Sequence, residues 1–117
     1  MIKNDFIFVG HILESIENIE SFTHKVSKQL FIENIEKQSA IVRQIEIIGE
    51  AAKNISPSFR EEHKDIEWKK IAGFRDVVIH KYFDVNLDIV WEIIKGDIPI
   101  LKEKIKKISL SEQNKNG

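Results

Sequence analysis

Four side chains suited to phosphate chemistry lie close together in an otherwise apolar run, at Arg75, Asp76, His80 and Tyr82. A neutral imidazole can remove the proton from a ribose 2′-hydroxyl, which then attacks the adjacent phosphate. An arginine can stabilise the negative charge that gathers on the phosphate oxygens during that attack. DNA lacks the 2′-hydroxyl, so these groups favour chemistry on RNA, with His80 as general base and Arg75 as phosphate clamp.

The spacing of Arg75 and His80 limits how the two residues can act together. Residues five apart on a straight helix point about 140° away from each other. One continuous helix would therefore not direct both side chains at a single phosphate. They converge if the helix ends or bends near His80, if Arg75 reaches round the edge of the helix, or if two protomers share the site.

The same residues also have purely structural interpretations. Arg75 falls within the apolar arc of the predicted helix, where it could form a buried ion pair with a carboxylate of another helix. Asp76 lies four residues before His80 and shares its face, so the carboxylate could orient the imidazole or make an ordinary solvated contact. Tyr82 lies on the same face of the predicted helix as Arg75 and could be a half-buried core residue.

Composition bounds the kind of molecule that carries these groups. The chain has 117 residues, of which 42% are hydrophobic and 32% charged, as expected for one folded domain. Its net charge is −1, so binding of RNA must depend on a local patch or on a patch assembled by oligomerisation. It has no cysteine, which excludes thiolate metal sites and fits a cytoplasmic location, and its histidines show no metal-ligand spacing. The first apolar run is too short for a signal peptide or a membrane span.

Apolar periodicity predicts the first two helices of the scaffold. The first runs from residue 4 to about residue 22, with Asn4 or Asp5 as its N-cap. The second begins near residue 32 and stops at Ser56, because Pro57 disfavours helix at the preceding residue. Gly49 inside the second helix costs about 1 kcal/mol relative to alanine. Either a close approach by another helix or simple tolerance would explain this glycine.

The second half of the chain predicts the helices around the candidate site. Ser56 caps a short helical turn, and a third helix runs from Glu67 to roughly His80 or Tyr82. Asn86 caps a fourth helix, followed either by a break at Gly96 and Asp97 or by a kinked continuous helix. The predicted fold is therefore all-α, an up-and-down bundle of four main helices plus short extra helical turns. One domain spans residues 1–108, and residues 109–117 form a polar, flexible tail.

The pattern Arg75-x4-His80-x-Tyr82 on the third helix resembles the HEPN ribonuclease signature. It resembles the HepT-like toxins more closely, since these add a tyrosine two residues after the histidine. The likeness covers about residues 5–105. The flanking stretches that agree are Ile47–Ala52, Trp68–Asp76, Tyr82–Phe83 and Val90–Trp91.

This resemblance implies a homodimeric, metal-independent endoribonuclease toxin without a cofactor, whose two Arg75–His80 pairs meet in a cleft at the dimer interface. It also implies a cognate antitoxin, a minimal nucleotidyltransferase of the MntA type that attaches AMP to Tyr82. The added bulk and negative charge would then block RNA phosphates. Many relatives have asparagine in place of Asp76 and glycine in place of Lys81. Asp76 would place an anion beside the RNA, and Lys81 could offset that charge.

Three further charged residues, Arg43, Glu46 and Glu50, share one face of the second helix. They form either a solvated salt-bridge face or, in a dimer, a face that approaches the cleft. Two other functions remain open for the whole chain. One is a non-catalytic HEPN partner that binds nucleotide or positions substrate for a nucleotidyltransferase. The other is a purely structural dimerisation protein.

Overall fold

The structure, a computed structural model, describes residues 2–78 and 85–116, and it describes side chains at residues 4–78 and 85–112. These residues form helices and contain no strand, which confirms the predicted all-α class. The elements in chain order are α1 (Ile2–Thr23), α2 (Lys28–Glu33), α3 (Ile35–Lys53), α4 (Pro57–Glu62), α5 (Trp68–Ala72), α6 (Phe74–Val78), α7 (Leu87–Glu92), a π-helical turn (Ile93–Asp97) and α8 (Ile98–Asn116).

Helices α1, α3 and α8 form the frame of the bundle, and α5 and α6 pack against α3. The apolar stripes that periodicity predicts are buried together, so the bundle has one continuous core. The short helix α2 has no counterpart among the predicted helices. The predicted stripes that are buried comprise Val9, Ile12, Ile16 and Ile19 of α1, Ile41, Ile45, Ile48 and Ala52 of α3, and Trp68, Ile71, Phe74 and Val78 of α5 and α6.

Side-chain caps begin the helices where the sequence predicts them. Ser56 Oγ accepts a hydrogen bond from the backbone N–H of Phe59 at 3.3 Å, and Pro57 opens α4. Asn86 Oδ1 likewise accepts from the N–H of Ile89 at 3.1 Å at the start of α7. Both predicted caps are confirmed, because capping depends on residues within one turn of each other.

The predicted cap of the first helix is wrong. Helix α1 begins at Ile2, so Asp5 lies inside it and is almost fully buried. The Asp5 carboxylate accepts hydrogen bonds from both the backbone N–H and the hydroxyl of Ser56, each at 2.7 Å. These two bonds satisfy the buried carboxylate and tie α1 to the start of α4.

The predicted third helix is divided at Gly73 into α5 and α6. The backbone N–H of Gly73 faces the carbonyls of Lys69 and Lys70 at 3.2 and 3.1 Å, so the last turn of α5 is tightened. In a continuous helix Arg75 would lie in the middle of the apolar arc. The break at Gly73 changes the direction in which the side chains after it point, and Arg75 lies at the surface. The predicted end of this helix at His80 or Tyr82 lies outside the described residues.

The break predicted at Gly96 and Asp97 is absent. A π-helical turn there joins α7 to α8, with helical backbone angles at Glu92 and Ile98, so the continuous alternative is the observed one. Asp97 caps no helix and instead contacts Lys70 of α5. Helix α8 continues to Asn116, well past residue 108, where the sequence predicts a flexible tail to begin.

Candidate functional site

Arg75 is held at the surface by a glutamate of another helix. Its Nε donates a hydrogen bond to Glu46 Oε2 across 2.9 Å. The Arg75 side chain remains 47% exposed and that of Glu46 22% exposed. A carboxylate partner from another helix was one of the open alternatives, but the pair lies at the surface and is not buried. The guanidinium is therefore reachable by a ligand in solution.

The position of Glu46 depends on the close packing of α3 against α5. Ile45 and Ile48, on either side of Glu46, are fully buried. One turn later, a Cβ built on Gly49 would lie 3.4 Å from the carbonyl oxygen of Ala72 and 3.5 Å from that of Ile71. The α5 backbone therefore comes near this glycine, at a distance where a Cβ would make ordinary van der Waals contact and a longer side chain would meet the α5 carbonyls. The approach brings the end of α5, and α6 directly after it, alongside Glu46.

Helix α6 is anchored on both sides of its polar residues. Phe74 and Val78 are buried, whereas Arg75, Asp76 and Val77 between them are exposed. Asp76 forms no ion pair with any other residue that the structure describes. The orienting role predicted for Asp76 remains a prediction, because its expected partner His80 lies outside the described residues. The same holds for Lys81 and Tyr82.

The chain leaves and re-enters the described structure at neighbouring points. The backbone N–H of Asn86 donates to the carbonyl of Val78, the last residue of α6, across 2.8 Å. Val85 lines a groove together with Gln38, Ser39 and Val42 of α3. Val42 lies one helical turn before Glu46. Val78, Val85 and Asn86 therefore lie in the part of the bundle that carries Arg75.

The predicted charged face of α3 separates into two groups. Glu46 contacts Arg75, whereas Arg43 and Glu50 are exposed and form no ion pair with another described residue. The exposure of Arg43 and Glu50 agrees with the alternative of a solvated face. The sequence left Glu46 open between a solvated face and a cleft face, and it did not identify Glu46 as the partner of Arg75 because the two residues are 29 positions apart.

A second ion pair lies on the other side of Gly73, and the sequence interpretation missed it. Lys70 Nζ lies 2.9 Å from Asp97 Oδ1 on the π-helical turn. The hydrogen bond to Asp97 and its negative charge, with a smaller contribution from Glu67, raise the pKa of Lys70 above its ordinary value. Neither local spacing nor periodicity connects positions 70 and 97, so only the folded chain reveals this contact.

Two other features are absent from the described residues. They contain no group of three or more histidine, cysteine, aspartate or glutamate side chains placed to hold a metal ion. No helix within them is long and apolar enough to cross a membrane.

Fold and site together define a class of small helical bundle that exposes an arginine next to a helical glutamate, with a histidine and a tyrosine following in the chain. The model of the HepT-like ribonuclease family matches residues 12–108. The chain belongs to this family, which confirms the resemblance inferred from its motif. No solved structure matches the chain significantly.

Similar proteins from archaea and bacteria carry names of the same kind. A protein named probable ribonuclease HepT, from Thermococcus cleftensis, is 42% identical over 86% of this chain and 92% of its own length. One named "Putative RNase", from Caldanaerobacter subterraneus, is 42% identical over 91% of this chain and 95% of its own. A Methanocaldococcus jannaschii protein named "Gamma-glutamylcyclotransferase and putative RNase" is 48% identical over 99% of this chain. The chain spans only about half, 52%, of that last relative.

Proposed function

We propose that this protein is a metal-independent endoribonuclease that acts as the toxin of a toxin–antitoxin pair. The observation that carries the proposal is membership of the HepT-like ribonuclease family across residues 12–108, a range that includes the whole Arg75-x4-His80-x-Tyr82 motif. The exposed guanidinium of Arg75 supports it, because a phosphate clamp must be open to its ligand. The proposed molecule is a cytoplasmic homodimer whose two Arg75–His80 pairs share one cleft.

In the proposed reaction, His80 takes the proton of a ribose 2′-hydroxyl as that oxygen attacks the neighbouring phosphorus. The bond from phosphorus to the 5′-oxygen of the next nucleotide breaks, and that oxygen takes up a proton. The products are a 2′,3′-cyclic phosphate and a 5′-hydroxyl end. Arg75 stabilises the additional negative charge on the phosphate oxygens in the transition state, and Asp76 orients the imidazole.

Control of the toxin would fall to a nucleotidyltransferase antitoxin of the MntA type. That enzyme would transfer AMP from ATP to the hydroxyl of Tyr82 and release pyrophosphate. The new phosphodiester places a negative charge close in sequence to Arg75 and His80, where it would repel or displace an RNA phosphate. Arg43, Glu50 and Lys81 are proposed as residues that border the RNA.

The reaction is tested with two matched oligonucleotides, an all-RNA strand and the same strand with deoxyribose at every position. We expect the protein to cut only the RNA, to leave 2′,3′-cyclic phosphate ends, and to remain active in excess EDTA. A His80→Ala variant should lose this cleavage, and His24→Ala is the matched control on a distant segment. Loss of activity in EDTA, or cleavage of the DNA strand, would contradict the 2′-hydroxyl mechanism.

Control by modification is tested by intact mass after co-expression with a nucleotidyltransferase of the MntA type. We expect additions of one or more AMP units on the wild-type protein and none on Tyr82→Phe. Modified protein should no longer cleave RNA. A wild-type dimer that leaves RNA intact even when unmodified would instead favour the non-catalytic, substrate-positioning partner.

A further inference from the structure

We infer that Glu46 is a positioning residue for RNA cleavage: it holds the Arg75 guanidinium from the side so that both terminal nitrogens face the scissile phosphate. This inference rests on the proposed function, since it assigns a role within the same site. It starts from one contact, the hydrogen bond from Arg75 Nε to Glu46 Oε2 at 2.9 Å.

The atom that Arg75 uses decides between two opposite roles for Glu46. A guanidinium has one N–H on Nε and four on its two terminal nitrogens, and it grips phosphate in a bidentate manner. A carboxylate bound end-on to both terminal nitrogens would compete with phosphate and inhibit the site. Glu46 instead accepts from Nε, and no other described residue hydrogen-bonds the guanidinium. The contact thus restricts the orientation of Arg75 without occupying its two terminal nitrogens.

Both ends of this contact have rigid supports. Glu46 lies on the 19-residue helix α3 between the fully buried Ile45 and Ile48. Arg75 lies on α6 between the buried Phe74 and Val78. An exposed arginine normally populates many rotamers, and a fixed acceptor removes most of them before substrate binds. A clamp that is already oriented contributes more to the transition state than to ground-state binding.

The charge of Glu46 acts in the opposite direction. A carboxylate beside Arg75 weakens the general attraction of the site for phosphate, because like charges repel. An acidic side chain at this position does not increase the affinity for RNA. Removing Glu46 should therefore slow the chemical step while leaving RNA affinity unchanged or increasing it. Simple damage to the fold would instead lower both the rate of the chemical step and the affinity for RNA.

Three variants distinguish the effect of the hydrogen-bond acceptor of Glu46 from the effect of its negative charge. Glu46→Ala removes both, and Glu46→Gln keeps a carbonyl that can accept from Nε while removing the charge. Glu36→Ala is the matched control, because Glu36 lies near the start of the same helix α3, is exposed and has no ion pair with a described residue. We expect kcat for a mixed-sequence RNA oligonucleotide to fall by roughly ten- to a hundredfold in Glu46→Ala. Glu46→Gln should recover most of it, and Glu36→Ala should match the wild type.

A second measurement does not require activity. The ¹⁵N–¹H resonance of Arg75 Nε, assigned by its loss in Arg75→Lys, should exchange slowly with water in wild type and Glu46→Gln and rapidly in Glu46→Ala. The inference is overturned if Glu46→Ala retains full kcat, if kcat of Glu36→Ala falls equally, or if KM rises as much as kcat drops. A wild-type protein that cleaves no RNA would overturn the proposed function itself. In that case only the exchange rate of the Arg75 Nε–H tests whether Glu46 orients Arg75. An exchange rate in Glu46→Ala equal to that of the wild type would overturn the orienting role.

Discussion

Two ion pairs lie on either side of Gly73, and they differ in what they leave available for chemistry. On α5, Lys70 directs its ammonium at Asp97, and the contact raises the pKa of Lys70. On α6, Arg75 gives up only Nε to Glu46. An ammonium carries its three N–H groups on one nitrogen, whereas a guanidinium has two separate edges for hydrogen bonding. The first pair ties two elements together, and the second leaves a charged edge exposed at the surface.

The largest expected difference between the two pairs is in RNA cleavage. Arg75→Ala should lower kcat/KM by about 10²–10³-fold, because it removes the group that stabilises charge on the phosphate. Lys70→Ala, five residues earlier on the other side of Gly73, should change it by less than about threefold, since surface pairs contribute little. Steady-state cleavage assays on both variants provide the measurement. Equal effects would remove the distinction, and an Arg75→Ala variant altered only in stability would favour the purely structural dimerisation protein.

The second expected effect tests the packing that positions the Arg75 pair. Gly49→Leu should destabilise the fold by about 1–3 kcal/mol, because the side chain would press on the backbone of α5. It should also reduce cleavage by displacing α5 and α6 from Glu46. Gly10→Leu is the matched control on α1, where an added Cβ meets nothing within 4 Å. Urea denaturation measures the difference in free energy of unfolding, and equal results for the two glycines would contradict the close approach.

The smallest expected effect concerns the Lys70 pair. Asp97→Asn should cost only about 0.2–1 kcal/mol at neutral pH and leave cleavage unchanged. Because the contact raises the pKa of Lys70, its contribution is complete below the unfolded lysine pKa of about 10.4. It is lost as the pH rises through the higher pKa of the folded state. The gap in unfolding free energy between wild type and Asp97→Asn should therefore close above about pH 10.4. A gap that is constant with pH would show that the pair contributes through packing.

Local sequence patterns predict some features of the fold and site but not others. The buried stripes of α1 and α3 and the caps at Ser56 and Asn86 follow from residues within one or two turns of each other. The division at Gly73 does not, because Gly73 lies within an apolar pattern that would support one continuous helix. A helix drawn through it puts Arg75 among core residues, whereas the structure places it at the surface.

The sequence by itself determined the helical class, most of the core and the family, because periodicity, capping and the motif from Arg75 to Tyr82 can be read along the chain. Only the tertiary structure decided that Asp5 supports the start of α4 and that Glu46 holds Arg75 from the side. Both contacts join residues on different helices, 51 and 29 positions apart. Their geometry depends on how closely the helices pack, and Gly49 lies where α5 approaches α3.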